Sequence, residues 1–372
     1  FAKILDTIKR QFMQTIDISQ SVISTKPNTF TFLLRDDTVE VVEDFEKRAI
    51  ALGHNFSDEM RSQLHLAYQE FMEGLIKVYK DNSDVRNTII EVVEASVVNK
   101  IRNQKIADFI STCDDECVVV TMDPLCNFPD TIPFAVSRLF NSTGSVSTKL
   151  TNRPGSVPIF EQIDAIRTAS RGKKIILVED DLFSGSTINR TMALFRGDAA
   201  NGGEIEIDVA AVFPGIQVIT DVPLAFGDEI HVDPVYSVYI PAGCKIDVLV
   251  NVGDPRDFLV GGDGLVTEVG RMPYVRPFIS PNARASVPHD REIIFSLEVL
   301  RLTKRFYSVA EETTGVLWPA NICEPAASNG LIHHGFVEQD RTHDTSMTDV
   351  IEKIQRHPLL ELNNPEPALS DF

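Results

Sequence analysis

The sequence predicts an α/β protein: a mostly parallel sheet flanked by helices, with a helical N-terminal addition and an irregular C-terminal extension. Three observations carry this. Short β-branched runs at 117–122 and 174–179 have the continuous apolar character of strands buried on both faces. Between about 113 and 252 such runs alternate with segments of helical periodicity, the pattern of a parallel sheet with crossover helices. Before 113 apolar residues recur mainly at three- and four-residue steps, and from 253 to 288 Pro and Gly break the pattern into short pieces.

Taken in order, residues 29–34 read as a short strand, and 44–52 and 59–79 as amphipathic helices. Ser57 and Asp58 are N-cap candidates for the second, and 85–110 continues the helical pattern. Region 1–112 therefore reads as mainly helical, an appended domain or a layer for a homodimer, with no chemistry of its own. In the core, 113–252, strands are expected at 117–122, 174–179, 205–213, 231–240 and 245–252. Helices are expected at 131–140, 159–170 and 186–196. The extension, 253–372, contains Gly261, Gly262 and Gly264, a Pro-punctuated stretch at 272–288, a helix at 292–307 and a loose acidic tail from about 358. Trp318 reads as a core residue.

The 372 residues carry 35 Lys plus Arg against 54 Asp plus Glu, a net charge of -19. Such a surface repels polyphosphate, which excludes general nucleic-acid binding but leaves room for a local phosphate pocket. Five scattered cysteines, Cys113, Cys117, Cys126, Cys244 and Cys323, make no disulfide framework, and nothing completes a zinc site around Cys113 and Cys117. His333, His334 and His343 beside Asp344 are weak metal candidates, because adjacent histidines point apart. With no basic leader and no apolar run long enough for a membrane span, a cytoplasmic protein is expected. Walker, Ser–His–Asp and Rossmann glycine patterns are absent from the sequence.

The informative stretch is 172–188. An apolar strand runs into Glu179 and Asp180, a short turn carries Ser184, Gly185, Ser186 and Thr187, and a helix begins there. Side chains at the carboxyl end of a central parallel strand face the crevice where open α/β sheets bind ligands. The turn offers backbone N–H groups and the positive helix end to a phosphate. Gly185 allows close approach, and the three hydroxyls add donors. Carboxylates beside a phosphate seat repel it unless they face hydroxyl groups or a cation, and a sugar phosphate bound with Mg²⁺ satisfies both.

This stretch resembles the fingerprint of the type I phosphoribosyltransferases: a strand, two acids, three residues, then Thr/Ser-Gly-x-Thr/Ser. The resemblance implies a phosphoribosyltransferase-like core in which Glu179 and Asp180 hold the ribose hydroxyls of phosphoribosyl pyrophosphate (PRPP). Phe183 to Thr187 would line the 5-phosphate seat. Mg²⁺ would arrive with PRPP, with Asp180 its one candidate protein ligand. The family's catalytic loop maps to 141–158, where Lys149 and Arg153 are the pyrophosphate cations to expect. The implied reaction transfers phosphoribosyl from PRPP to a nitrogen nucleophile and releases pyrophosphate. Phe183 stands where purine-salvage members carry an Asp, Asp181 occupies a usually apolar place, and 121–128 lacks the Gly pair or basic residue of a pyrophosphate loop. These departures point away from ordinary purine salvage and support one alternative, a non-catalytic PRPP or nucleotide sensor or interaction module; a further alternative is a nucleotide-hydrolysing relative. Arg271, Arg276 and Arg284 are candidates to clamp an anionic substrate. A minor alternative is a receiver domain, whose strand also ends in acids and for which Asp221 and Lys245 would be the further landmarks.

Overall fold

Short apolar strands that alternate with amphipathic helices do build a mostly parallel sheet covered by helices. The computed structural model describes residues 14–15, 22–24, 30–51, 53–82, 88–140, 146–153, 156–196, 208–220, 223–226, 229–240, 245–249, 264–267, 270–271, 273–284, 287–315, 317–320 and 325–360. Asp221, Cys244, Cys323, Gly261, Gly262 and the tail beyond 360 lie outside them. The chain divides into two units, one of residues 1–33, 91–136 and 156–250, the other of 34–90, 137–155 and 251–372.

The first unit holds a seven-stranded sheet. Its elements are β1 (Val22–Ser24), α1 (Ala95–Thr112), β2 (Cys117–Thr121), β3 (Ile132–Pro133), α2 (Ile159–Ala169), β4 (Lys174–Leu182), α3 (Ser186–Arg196), β5 (Val209–Ile219), β6 (His231–Val232) and β7 (Tyr236–Tyr239). Strand order is β1-β7-β5-β4-β2-β3, with β6 also beside β5, and the pairings are parallel. The chain runs outward from β2 to β3, returns to β4 on the other side of β2, and continues to β5 and β7. The order therefore reverses between β2 and β4, a topological switch point.

Period-two alternation splits β4 between two cores. Ile175 and Leu177 pack with Ile163 and Ile166 of α2 and Ile188, Met192 and Phe195 of α3. Ile176 and Val178 pack on the other face with Ile106 of α1 and with Ala211 and Phe213 of β5. Each such side chain contributes about 1.5–3 kcal/mol by leaving water, which makes β4 the anchor of the unit.

Several expected elements differ. Residues 131–140 are not a helix but β3 and a further strand, Val136–Phe140. Pro133 disfavours a helix interior, and Ile132, Phe134 and Val136 alternate at period two. Region 85–110 contains a strand, Thr88–Glu94, before α1 starts, as its β-branched residues favour. β4 continues three residues past Glu179, β5 is shifted from 205–213 to Val209–Ile219, and 231–240 is two strands. The supposed loop at 141–158 contains a strand, Val146–Asn152.

In the second unit, helices Thr38–Ala51 and Asp58–Asn82 accompany Glu292–Thr314, longer than expected. Phe45 packs edge-on against Phe306 and 4.3 Å from Trp318, which is buried as the sequence suggests. A small sheet runs in the order Gly270–Arg271, Gly264–Thr267, Val136–Phe140, Val146–Asn152. Ser57 caps helix Asp58–Asn82, its Oγ accepting the Met60 N–H at 3.2 Å. Ser57→Ala should lower the stability of this unit by about 0.5–2 kcal/mol, read from the denaturant midpoint at constant slope. An unchanged midpoint would show that the cap contributes nothing.

Candidate functional site at the switch point

The site follows from unequal strand lengths. β2 pairs with β4 only as far as Thr121 opposite Val178, whereas β5 follows β4 to Gln217 opposite Leu182. Met122 N–H still donates to Val178 O at 2.9 Å. Beyond it, among the described residues, Glu179 to Leu182 have a strand neighbour on the β5 side only. This overhang places three consecutive acids, Glu179, Asp180 and Asp181, at the carboxyl end of β4, past the last residue of β2.

Asp180 is 8% exposed, and its Oδ1 accepts the Asp181 N–H at 2.8 Å. Glu179 Oε2 is shut off from solvent and accepts no hydrogen bond among the described residues. Burial, then the neighbouring carboxyls of Asp180, Asp181 and Asp123, hold the Glu179 carboxyl well above the usual carboxylate range. A proton, a cation or a ligand hydroxyl would each relieve this crowding.

The sign of the pH effect follows. The folded state holds the Glu179 proton more tightly than the unfolded chain, whose ordinary value is 4.5. The stability this gives is complete below that value and is lost as pH rises through the folded one. Glu179→Gln imitates the protonated form. It should raise the melting temperature at pH 8, by an amount on the order of 1–3 kcal/mol of stability, and change little at pH 4. An equal shift at both pH values, or none at pH 8, would rule out a strained carboxyl.

After the overhang the chain turns through Phe183, 40% exposed, into the hydroxyl-rich loop. Ser184 O accepts the Ala225 N–H at 2.8 Å, and Ser184 Oγ lies 3.4 Å from the Ser186 N–H that donates to it. Gly185 has φ +71°, and a Cβ there would lie 2.6 Å from Phe226 Cε1. Its carbonyl accepts the Asn189 N–H at 2.9 Å, so α3 winds directly from this turn, with no acid in its first turn. The helix end can thus accept an anion without a resident carboxylate competing.

The turn after β2 closes the crevice from the other side. Asp123, 1% exposed, accepts from Leu125 N–H through Oδ1 and from Arg102 Nη2 through Oδ2, both at 2.9 Å. Arg102, on α1, is fully buried. Sequence reasoning missed Asn99, Arg102 and Asp123. A signal was present: Ala95, Val98, Asn99, Arg102 and Ile106 are the buried stripe of α1 at helical spacing, with an arginine in its middle.

The other candidates fall elsewhere. Lys149 lies within strand Val146–Asn152 and Arg153 just after it, both in the second unit rather than in an open loop. Arg276 pairs with buried Glu292 at 2.7 Å, and Glu292 also accepts from Ser280 and the Asn282 N–H. Arg271 ends a strand and Arg284 a short helix, their side chains outside the described set. Cys117, at the far end of β2, has its thiol pushed up to about 11 by burial and the Cys113 thiol, an unreactive state. His333 and His334 meet edge to face on the surface. Among the described residues no three His, Cys, Asp or Glu side chains gather to hold a metal, and no helix is long and apolar enough to cross a membrane. Lys245 begins a strand of the first unit. The acids follow β2 and β3 in the chain, whereas those of a receiver end its first strand.

No family model and no curated protein matches this chain. Among solved structures it is similar to a hypothetical protein from Neisseria gonorrhoeae with bound ppGpp, at 15% identity and a TM-score of 0.27, over 41% of this chain and 81% of that one. A likeness this slight assigns neither fold nor ligand.

Proposed function

We propose that the first unit binds a ribose 5-phosphate compound, PRPP above all, and transfers its phosphoribosyl group to a nitrogen nucleophile with release of pyrophosphate. The observation that carries this reading is the acid-bearing overhang of β4, joined through the positive-φ Gly185 to the N-terminus of α3. It offers carboxylate acceptors for vicinal hydroxyls and backbone donors for a phosphate a few residues apart.

In this reading Ser184 to Thr187 hold the 5-phosphate against the start of α3. Glu179 and Asp180 accept the ribose hydroxyls, so that positive charge developing at C1 meets fixed negative charge. The Glu179 proton would leave, or move onto Asp180, as the ligand hydroxyls arrive. Magnesium would neutralise the diphosphate, and a pair of carboxylates, one with a buried oxygen that has no partner among the described residues, suits a hard cation that the ligand itself mostly coordinates.

One observation favours a sensor instead. The turn after β2 presents a buried acid, Asp123, where a pyrophosphate would need donors. Calorimetry with PRPP and Mg²⁺, followed by a pyrophosphate-release assay over a panel of nitrogen acceptors, separates the readings. Binding with turnover supports the enzyme, and binding without turnover the sensor. The absence of binding would remove both.

A further inference from the structure

We propose that Arg102 is a positioning residue of the crevice, holding the Met122–Leu125 turn and the overhang of β4 in one fixed relation; this rests on the ribose-phosphate reading for its functional consequence. A fully buried guanidinium is costly unless its donors are satisfied, and a buried ion pair is weak support for stability, since apolar residues of equal volume hold a core as well. What an apolar pair cannot do is bridge three polar segments.

Arg102 bridges them. Its Nη1 donates to Glu179 O at 3.1 Å, at the first overhang residue, just past the last β2 pairing at Val178. Its Nη2 donates to Asp123 Oδ2 at 2.9 Å and to Asn99 Oδ1 at 2.6 Å. Asn99 in turn donates from Nδ2 to Leu125 O at 2.9 Å. One turn of α1 thus grips the loop at two points and the acid strand at a third. Gly215 of β5 lets β4 and α1 come close: a Cβ there would stand 2.9 Å from Asp180 O and 3.1 Å from Val98 Cγ1. Among the described residues Arg102 Nε has no acceptor, and the contacts that place the fork are those of its Nη atoms. The segments it joins are the two walls of the proposed ligand crevice, where misplacement by about an ångström costs on the order of a hundredfold in function.

The test uses the whole chain. Arg102→Met alone leaves Asp123 buried and unpaired, so the informative variant is Arg102→Met with Asp123→Asn, which keeps the acceptor for Leu125 N–H. Asn99→Ala serves as a second variant that removes no charge. Three quantities are read: the thermal melt, amide hydrogen exchange, and affinity for ribose 5-phosphate with Mg²⁺. Both variants are expected to melt cooperatively, with exchange faster in 122–125 and 180–184 but unchanged in 175–178 and 211–213. Affinity should fall about ten- to a hundredfold, the double variant showing the larger loss. Arg102→Lys, whose single ammonium cannot span the three acceptors, should recover melting but not affinity. Folded variants with wild-type exchange and affinity overturn the proposal, as does exchange that quickens uniformly. Should wild type itself fail to bind ribose 5-phosphate, the functional reading falls, and the exchange pattern alone decides whether Arg102 positions these walls. If the double variant does not fold, Asn99→Ala decides by the same criteria.

Discussion

Gly185→Val is expected to abolish binding of ribose 5-phosphate. Gly185 sits at φ +71°, where a β-branched residue is strained by about 1–3 kcal/mol, and its Cβ would fall 2.6 and 2.8 Å from two ring carbons of Phe226. That ring packs against the core beneath α2 and α3, so it yields only by disturbing the loop. The phosphate also loses its close approach to the backbone. Together these should weaken binding more than about a hundredfold, some 3 kcal/mol, in calorimetry. Gly185→Ala with Phe226→Ala relieves the ring contact and leaves the φ strain, and should still bind at least about tenfold more weakly than wild type. A Gly185→Val protein that melts like wild type and binds as tightly would place the phosphate elsewhere.

Asp180→Asn should separate catalysis from binding. Asp180 Oδ1 accepts the Asp181 N–H at 2.8 Å, and an asparagine Oδ1 can keep that bond, so the overhang should hold its shape. What disappears is the negative charge that would stabilise a cationic C1. A turnover loss of about ten- to a thousandfold is expected, about 1.4–4 kcal/mol, with affinity changed far less. The measurements are pyrophosphate or free-base release and ligand affinity on the same preparations. Unchanged turnover would mean that the acid pair is misassigned. A change in affinity alone, with no wild-type turnover over a broad acceptor panel, would identify a sensor.

Much of the crevice was legible because its parts are contiguous. Residues 174–196 contain strand, acids, glycine turn and helix in one stretch. α3 occupies the expected 186–196 because a strong apolar period and a glycine entry leave little alternative. The errors lie where periodicity is ambiguous. Region 131–140 satisfies a helical count as well as a period of two; Pro133 already counts against the helix, and the structure buries Phe134 in the sheet core between two short strands. β4 looked finished at Glu179 because acids are poor strand residues. It continues because β5 supplies backbone partners through Gln217.

The sequence by itself determined the α/β class, the buried character of β4 and the order of acids and hydroxyls after it, since these depend on local periodicity and on chain-adjacent residues. Only the tertiary structure decided that the strand order reverses between β2 and β4, that β4 outruns β2, and that Arg102, 77 residues before Glu179 in the chain, holds its carbonyl. Those features depend on which distant segments meet, and no local pattern encodes them. A buried charge becomes tolerable only when the fold brings its acceptors to it.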